Sequence, residues 1–312
     1  MNTDNSRVCP ICRNTCLVVK QKFNNNQQEY SLIECPDCGI QYWNPLIHPS
    51  EKYYEEETLS IYKLFHEGRK KVTDPRFIKF LKDFKGISDK NILDVGCSDG
   101  LLLKELELAG NRVWGIDIDS ISIEIARKRG LRNIFCSSVE DFVIKAKKNH
   151  LEFDVITVFD VLEHLTDPLS MLRELKTLLR KDGQIVITVP NRDRLLVNYI
   201  KTDFPPHHFW RFNTASLRNV CRNSGFSVDK LELFQYGYTN MVILDSAWKR
   251  LKKMLNAKNS SKTYNSTISS RNNKSVKKTV AAFVIRLFFP FSFLFEHSLQ
   301  KGFKIYCVSS KE

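Results

Sequence analysis

The stretch Asn91-Ile-Leu-Asp94-Val-Gly96-Cys-Ser98-Asp99-Gly100-Leu-Leu-Leu-Lys-Glu-Leu106, running on to Val113-Trp-Gly-Ile-Asp117-Ile118-Asp119, decides the fold. Ile92, Leu93 and Val95 make the short apolar run that a parallel strand buried on both faces requires. The turn from Gly96 to Gly100 leads into a helix with Leu102, Leu103, Leu106 and Ala109 on one face. Glycine lets such a turn close sharply and bring backbone N–H groups against a ligand, and the helix N-terminus just beyond offers unpaired donors to an anion. Asp117 ends a second strand seventeen residues after Gly100, where a carboxylate can accept both hydroxyls of a ribose. Strand, glycine turn, helix, strand and terminal acid together predict a nucleoside-cofactor site.

The glycine spacing narrows the cofactor. A dinucleotide site has the pattern Gly-x-Gly-x-x-Gly. Here no third glycine follows Gly96 and Gly100, and Asp99 is expected beside the ligand, where it would repel a pyrophosphate. Two later blocks extend the pattern: Phe153-Asp-Val-Ile-Thr-Val-Phe-Asp160-Val-Leu-Glu163-His164 with the helix that follows to Leu179, and Asp182-Gly-Gln-Ile-Val-Ile-Thr-Val-Pro190-Asn191. Strands are expected near 91–95, 112–117, 132–136, 153–159, 184–189, 226–234 and 304–309. The fold class is therefore α/β, a Rossmann-like doubly wound seven-stranded mixed sheet. Right-handed crossovers then place Gly96, Asp117, Asp160 and Asn191 at one sheet edge, the carboxyl ends of the strands, where ligands bind.

These blocks resemble class I S-adenosylmethionine (SAM) dependent methyltransferases, whose first motif Asp-x-Gly-x-Gly-x-Gly stands here as Asp94-Val-Gly96-Cys-Ser98-Asp-Gly100, with Ser98 at the middle glycine. The resemblance implies that Asp94, Gly96, Ser98 and Gly100 hold the methionine portion of SAM, Asp117 the ribose and Ile118 one face of the adenine. It places Ser138 near the adenine amino group, and Asp160 and Glu163 beneath the sulfonium. It also gives His164 a part in ordering its loop, and Tyr53 and Tyr54 a place in a lid.

Four of the nine cysteines form two knuckles, Cys9-Pro-Ile-Cys12 and Cys35-Pro-Asp-Cys38, separated by twenty-two residues. That spacing predicts a small N-terminal zinc ribbon, and four thiolates leave no open coordination position, so the Zn2+ is expected to be structural. The others do not suggest a disulfide scaffold, and Met1–Arg7 is polar rather than a signal peptide, so a cytoplasmic protein is expected, in contact with the inner membrane face if at all. The organisation expected is a zinc ribbon over 1–48, a helical connector or lid over 49–88 and a SAM-binding domain over 89–312.

Methyl transfer to oxygen or nitrogen needs alignment and often the removal of one proton. Phe204-Pro-Pro-His207-His208-Phe-Trp210 follows the fifth core strand, and His207 or His208 is the expected general base, against helix capping or packing inside the loop. A metal held by this histidine pair is disfavoured because no carboxylate pattern lies nearby in sequence.

Residues 246–279 hold ten Lys or Arg and no acid, so of the net charge of +13 only +3 belongs to the rest of the chain. The segment is rich in Ser and Asn and reads as a flexible basic insertion. The phenylalanine-rich stretch 280–299 is interrupted by Arg286 and Pro290, and is expected either to rest on an anionic membrane surface or to pack on the core. The zinc ribbon ahead of such a core resembles bacterial methyltransferases of surface-polysaccharide and deoxysugar biosynthesis, which implies a nucleotide-linked or lipid-linked saccharide as acceptor. The alternatives are a nucleic-acid acceptor, disfavoured by Phe159-Asp160-Val161-Leu162 where many base-amino methylases have Asn-Pro-Pro-Tyr, a lipid or quinone-type small molecule, and a non-catalytic binding protein.

Overall fold

The computed structural model describes residues 8–25, 28–47, 72–194, 197–199, 201–234 and 302–312. The elements below belong to one compact unit, Met1–Phe234 with Lys304–Glu312. Tyr53 and Tyr54, the basic segment 246–279 and the stretch 280–299 lie outside the described residues. Among the described residues, no helix is long and apolar enough to cross a membrane.

The core sheet has seven strands. They are β4 (Asn91–Val95), β5 (Arg112–Asp117), β6 (Ile134–Cys136), β7 (Phe153–Phe159), β8 (Leu179–Pro190), β10 (Phe226–Phe234) and β11 (Lys304–Lys311). Their order is β10-β11-β8-β7-β4-β5-β6, parallel except that β11 runs antiparallel to both neighbours. This is the mixed sheet the sequence predicts. β8 begins at Leu179 rather than near 184, because the whole Arg180–Gly183 stretch stays extended and Leu179 itself registers with Phe153.

Helices α2 (Leu101–Leu108), α3 (Ser120–Lys128), α4 (Val139–Lys148) and α5 (Pro168–Leu178) connect the parallel strands, and α6 (Thr214–Asn223) precedes β10. α2 buries Leu101, Leu102, Leu103 and Leu106, and α5 buries Leu169, Leu172, Leu175 and Leu178, the spacing of one helical face. Each such leucine contributes roughly 1.5–3 kcal/mol on leaving water. Asp119, Ser138, Asp167 and Asn213 cap the helices they precede with side-chain oxygens, Asn213 in a reciprocal box with Ser216. An additional helix, α1 (Pro75–Asp83), starts at the cap Asp74 and buries Phe80.

A second sheet carries the cysteines. β1 (Val18–Asn24), β2 (Glu29–Glu34) and β3 (Gln41–Asn44) form an antiparallel ribbon, and its fourth strand is β9 (Trp210–Arg211), contributed by the core segment after β8. Further bonds tie the ribbon to the core. Trp43 donates its N–H to the Phe209 carbonyl at 2.8 Å, and Asn219 and Asn223 of α6 donate to the carbonyls of Cys38 and Ile11, each at 3.1 Å.

Candidate active site

The carboxyl ends of β4, β5, β7 and β8 bring together most of the expected cofactor residues. Gly96 has φ +74°, and a Cβ there would sit 2.6 Å from Val161 Cγ2, so the turn after β4 accepts no side chain. Ser98 takes a positive φ of 50° without being glycine, a strained backbone of the kind found in ligand-holding turns. Gly100 is needed for a different reason. A Cβ there would collide with Leu131 and Ala126, so its absence serves the packing of the start of α2 against the core.

Three carboxylates of the opening motif have three environments. Asp94 is buried, accepts from Thr157 Oγ1 at 2.6 Å, and burial pushes its carboxyl up to about 7, with the nearby Asp117 adding to the rise. Asp117 accepts from the backbone N–H groups of Ser98 and Asp119, both at 2.9 Å, which locks the glycine turn onto the end of β5; burial raises its carboxyl too. Asp99 corrects an expectation. It does not face a ligand but is buried and paired with Arg129 at 2.8 Å, so it would not repel a pyrophosphate, and only the glycine spacing disfavours one. Ile118 is 64% exposed at the end of β5, an apolar surface at the rim of the site. Ser138 Oγ accepts from Asp141 N as the cap of α4, so capping accounts for that hydroxyl.

Asp160 sits at φ +57° after β7. Its carboxylate accepts from Thr188 Oγ1 at 3.0 Å and Arg76 Nη1 at 2.7 Å, and is paired with Lys304 Nζ. Although burial alone would raise it, the two cations hold this carboxyl far below the usual range. Arg76 and Lys304 were not anticipated. They come from α1 and β11, 84 and 144 residues away in sequence, and no local pattern announces either.

Beside Asp160 the loop after β7 meets the loop before β9. Phe209 N–H donates to the Glu163 carbonyl at 2.8 Å, Trp210 Nε1 to the Leu165 carbonyl at 2.6 Å, and His164 Nδ1 to the His207 carbonyl at 2.7 Å. A carbonyl only accepts, so His164 carries its proton on Nδ1 and keeps a lone pair on Nε2. Burial holds His164 down at about 3, neutral at any ordinary pH. His208 stacks edge-on against it, ring centroids 4.6 Å apart. His208 Nδ1 lies 3.2 Å from Asp203 Oδ1, and burial lowers His208 as well, against the pull of Asp203. Neither histidine caps α6, because Asn213 does.

Glu163 completes this cluster. It is 1% exposed, both carboxylate oxygens lack a hydrogen-bond partner among the described residues, and burial pushes its carboxyl up to about 8. One ligand atom each from Glu163, His164 and His208 lies within 4.8 Å of the others. The fold thus supplies the carboxylate that the histidine pair lacks in sequence. A buried carboxyl without a partner is costly unless it holds a proton or meets a cation, and the nearby imidazole nitrogens are ligand atoms that could share a cation with it.

In the ribbon, Cys9 and Cys38 sulfurs are 3.6 Å apart and those of Cys12 and Cys35 3.5 Å, all four mutually within 4.8 Å. Zn–S bonds of about 2.3 Å in a tetrahedron put the sulfurs about 3.8 Å apart, so this donor set fits such an ion and leaves no open position.

A family model described as a methyltransferase domain matches residues 65–231, more than half of the chain. Among curated proteins, the ubiquinone biosynthesis O-methyltransferase of Actinobacillus pleuropneumoniae serotype 5b (strain L20) is 40% identical over 152 residues, 44% of this chain and 65% of its own length. The protein of the same name from serotype 7 (strain AP76) is 38% identical over 167 residues, covering 48% and 71%. The chain thus spans just under two thirds of the first relative. A SAM-dependent methyltransferase structure from Archaeoglobus fulgidus aligns with 84% of this chain and all of its own at 20% identity and a TM-score of 0.47. These names overturn the polysaccharide reading, and with it the saccharide acceptor. The cysteine-bearing ribbon on which that reading leaned carries no information about the acceptor. The sheet order, the glycine turn and the matched domain agree, and the chain belongs to the SAM-dependent methyltransferases.

Proposed function

We propose that this protein transfers a methyl group to a hydroxyl oxygen of a quinone-type small molecule, with His208 as general base. The observation that carries the reading is the Asp203–His208 pair at the sheet edge. A neutral imidazole whose Nδ1–H is held by a carboxylate presents its Nε2 lone pair in a fixed direction, the arrangement a base needs. The acceptor class comes from the curated relatives named for ubiquinone biosynthesis.

SAM supplies the electrophilic methyl. Asp94 and the Gly96–Gly100 turn would hold its methionine portion, where the cationic amino group offsets the charge of buried Asp94. Asp117 would hold the ribose, Ile118 would cover the adenine with Ser138 nearby, and Asp160 and Glu163 would lie near the sulfonium. His208 takes the hydroxyl proton as the new O–CH3 bond forms and the S–CH3 bond breaks, and later releases that proton to water. His164 orders both loops through the His207 carbonyl. In the ribbon, Cys9, Cys12, Cys35 and Cys38 would hold a structural Zn2+.

Glu163 favours a second reading, in which Glu163, His164 and His208 hold a divalent cation that acidifies the acceptor hydroxyl in place of a base. Mn2+ titration followed by water-proton relaxation separates the two, since only the second predicts binding that Glu163→Gln abolishes. Incubation with methyl-labelled SAM and dihydroxy aromatic acceptors tests the function itself. Labelled methyl ether, formed about a hundredfold or more slowly by His208→Gln, is the result expected; no transfer to any phenolic hydroxyl by SAM-binding protein would refute it.

A further inference from the structure

Next to His208, the segment after β8 and strand β9 border a small cavity that is partly open to solvent. Its enclosed part has room for about one water-sized group, so an acceptor can place one small polar group there and the rest of its ring stays outside. Its lining includes Arg192, Arg194, Arg211, Asp203 and Trp210. Three guanidinium groups around one small cavity are unusual, because arginine is rarely buried unless its donors are used.

Their neighbours use only some of those donors. Arg192 gives Nη2 to Glu34 at 3.0 Å, and its Nε lies 3.5 Å from Asp193. Arg194 pairs with Asp203 and donates to the Asn191 carbonyl at 2.7 Å. Arg211 is 5% exposed, donates Nη1 to Asn198 Oδ1 at 3.1 Å and Nη2 to the Asp203 carbonyl at 3.5 Å, and lays its guanidinium over the rings of Trp43 and Phe204 at 5.1 and 4.9 Å. Arg192 Nε and Nη1 and Arg211 Nε are buried donors without a hydrogen-bond partner among the described residues. With Lys20, which pairs with Glu34 at 3.2 Å, four cations face Glu34, Asp193 and Asp203, and Asp193 is largely exposed. The cluster keeps a net positive charge, and burial holds Arg211 down at about 10, the mark of a cation lacking full compensation.

We infer that this cavity is an anion subsite, in which Arg192 and Arg211 bind a carboxylate carried by the acceptor and so set which hydroxyl reaches His208. The inference rests on the proposed O-methyl transfer for its acceptor, while the subsite itself rests on the arginines. With their Nη2 groups engaged elsewhere, Arg192 and Arg211 would each give single charge-assisted bonds to the carboxylate oxygens, and Asp203, already engaged by Arg194 and His208, does not compete for them.

The test separates binding from turnover. Titrating the SAM-saturated, zinc-replete protein with 3,4-dihydroxybenzoate and with catechol, by calorimetry and by the fluorescence of Trp210, should show the carboxylated ring binding at least tenfold more tightly. In Arg192→Gln that preference should shrink to threefold or less. Arg211→Lys, which keeps the charge but removes the Nε donor, should reduce it several-fold, and if packing against Trp43 makes that variant unstable, Arg192→Gln decides alone. Equal affinity for the two rings, no binding of the carboxylated one, or a preference that survives Arg192→Gln would overturn the subsite. Tight, Arg192-dependent binding without methyl transfer would leave the subsite standing and refute the acceptor reading instead.

Discussion

Replacing Asp94 by Asn should make the SAM-free protein more resistant to rising pH than wild type. Asp94 is buried, and its carboxyl sits at about 7 instead of the usual value near 3.9. A folded-state value above the unfolded one means that the native protein prefers the protonated acid. Its contribution is therefore present at low pH and is lost as pH rises through about 7. At about 1.4 kcal/mol per factor of ten, ionising Asp94 in the fold costs roughly 4 kcal/mol more than in the unfolded chain, and roughly 2–3 kcal/mol of that falls between pH 5 and 8. Asparagine keeps an oxygen for Thr157 Oγ1 and carries no charge. Urea unfolding of both proteins without SAM, followed by circular dichroism at pH 5 and 8, should therefore show the difference between variant and wild type moving by roughly 2–3 kcal/mol in favour of the variant. Any metal held by the ribbon cysteines would be common to both and cancel. Saturating SAM at pH 8 should reverse the order, because its amino cation rewards the ionised Asp94 that the variant lacks. Parallel pH profiles for the two proteins would refute the reasoning.

Asp160→Ala leaves Arg76 and Lys304 buried without their shared carboxylate and should cost about 3–5 kcal/mol, and Asp160→Ala combined with Lys304→Met should recover part of that loss in thermal unfolding. His208→Gln should lower kcat by about 10²–10⁴ while leaving SAM affinity within a few-fold, whereas His207→Gln, whose carbonyl contact survives the change, should lose less than about tenfold. Asp203→Asn should lower kcat as well, with the alkaline pH dependence altered, since it changes the group that orients His208. Chelation of the ribbon metal, or Cys35→Ser, should lower the melting temperature and also slow methyl transfer, because Trp43 holds the Phe209 carbonyl and Phe209 holds the Glu163 loop; unchanged kcat in metal-stripped, folded protein would sink that link.

The elements legible in the sequence are those whose information is local. The apolar runs of β4 and β7, the glycine turn at Gly96 and the paired Cys-x-x-Cys knuckles each carry their signal within a few residues, and strand and helix positions followed from them. What escaped depends on contacts over long sequence separations. Lys304 and Arg76 reach Asp160 only because β11 inserts between β8 and β10 and α1 lies close enough to the sheet edge. The Glu163–His208 juxtaposition is created by hydrogen bonds between two loops 45 residues apart, of which Trp210 to Leu165 is one. The inward orientation of Asp99 depends on Arg129, 30 residues on. The acceptor class is not legible, because a cysteine-rich module at one end of a chain says nothing about the chemistry of a pocket elsewhere in it.

Strand β9 sets a timetable for the birth of the protein. Gln41 and Tyr42 pair with Arg211 and Trp210, so the ribbon leaves the ribosome with its last edge bare until roughly 170 more residues have been made. At about 5–20 residues per second that interval is on the order of 10–30 s, during which the cysteine knuckles can capture metal but the hydrogen-bonding edge of β3 stays open to other chains. Metal uptake at this stage would stiffen the ribbon while its partner strand is still unmade. Metal starvation should therefore show itself first as aggregation of newly synthesised chains, and only afterwards as loss of activity in molecules already folded.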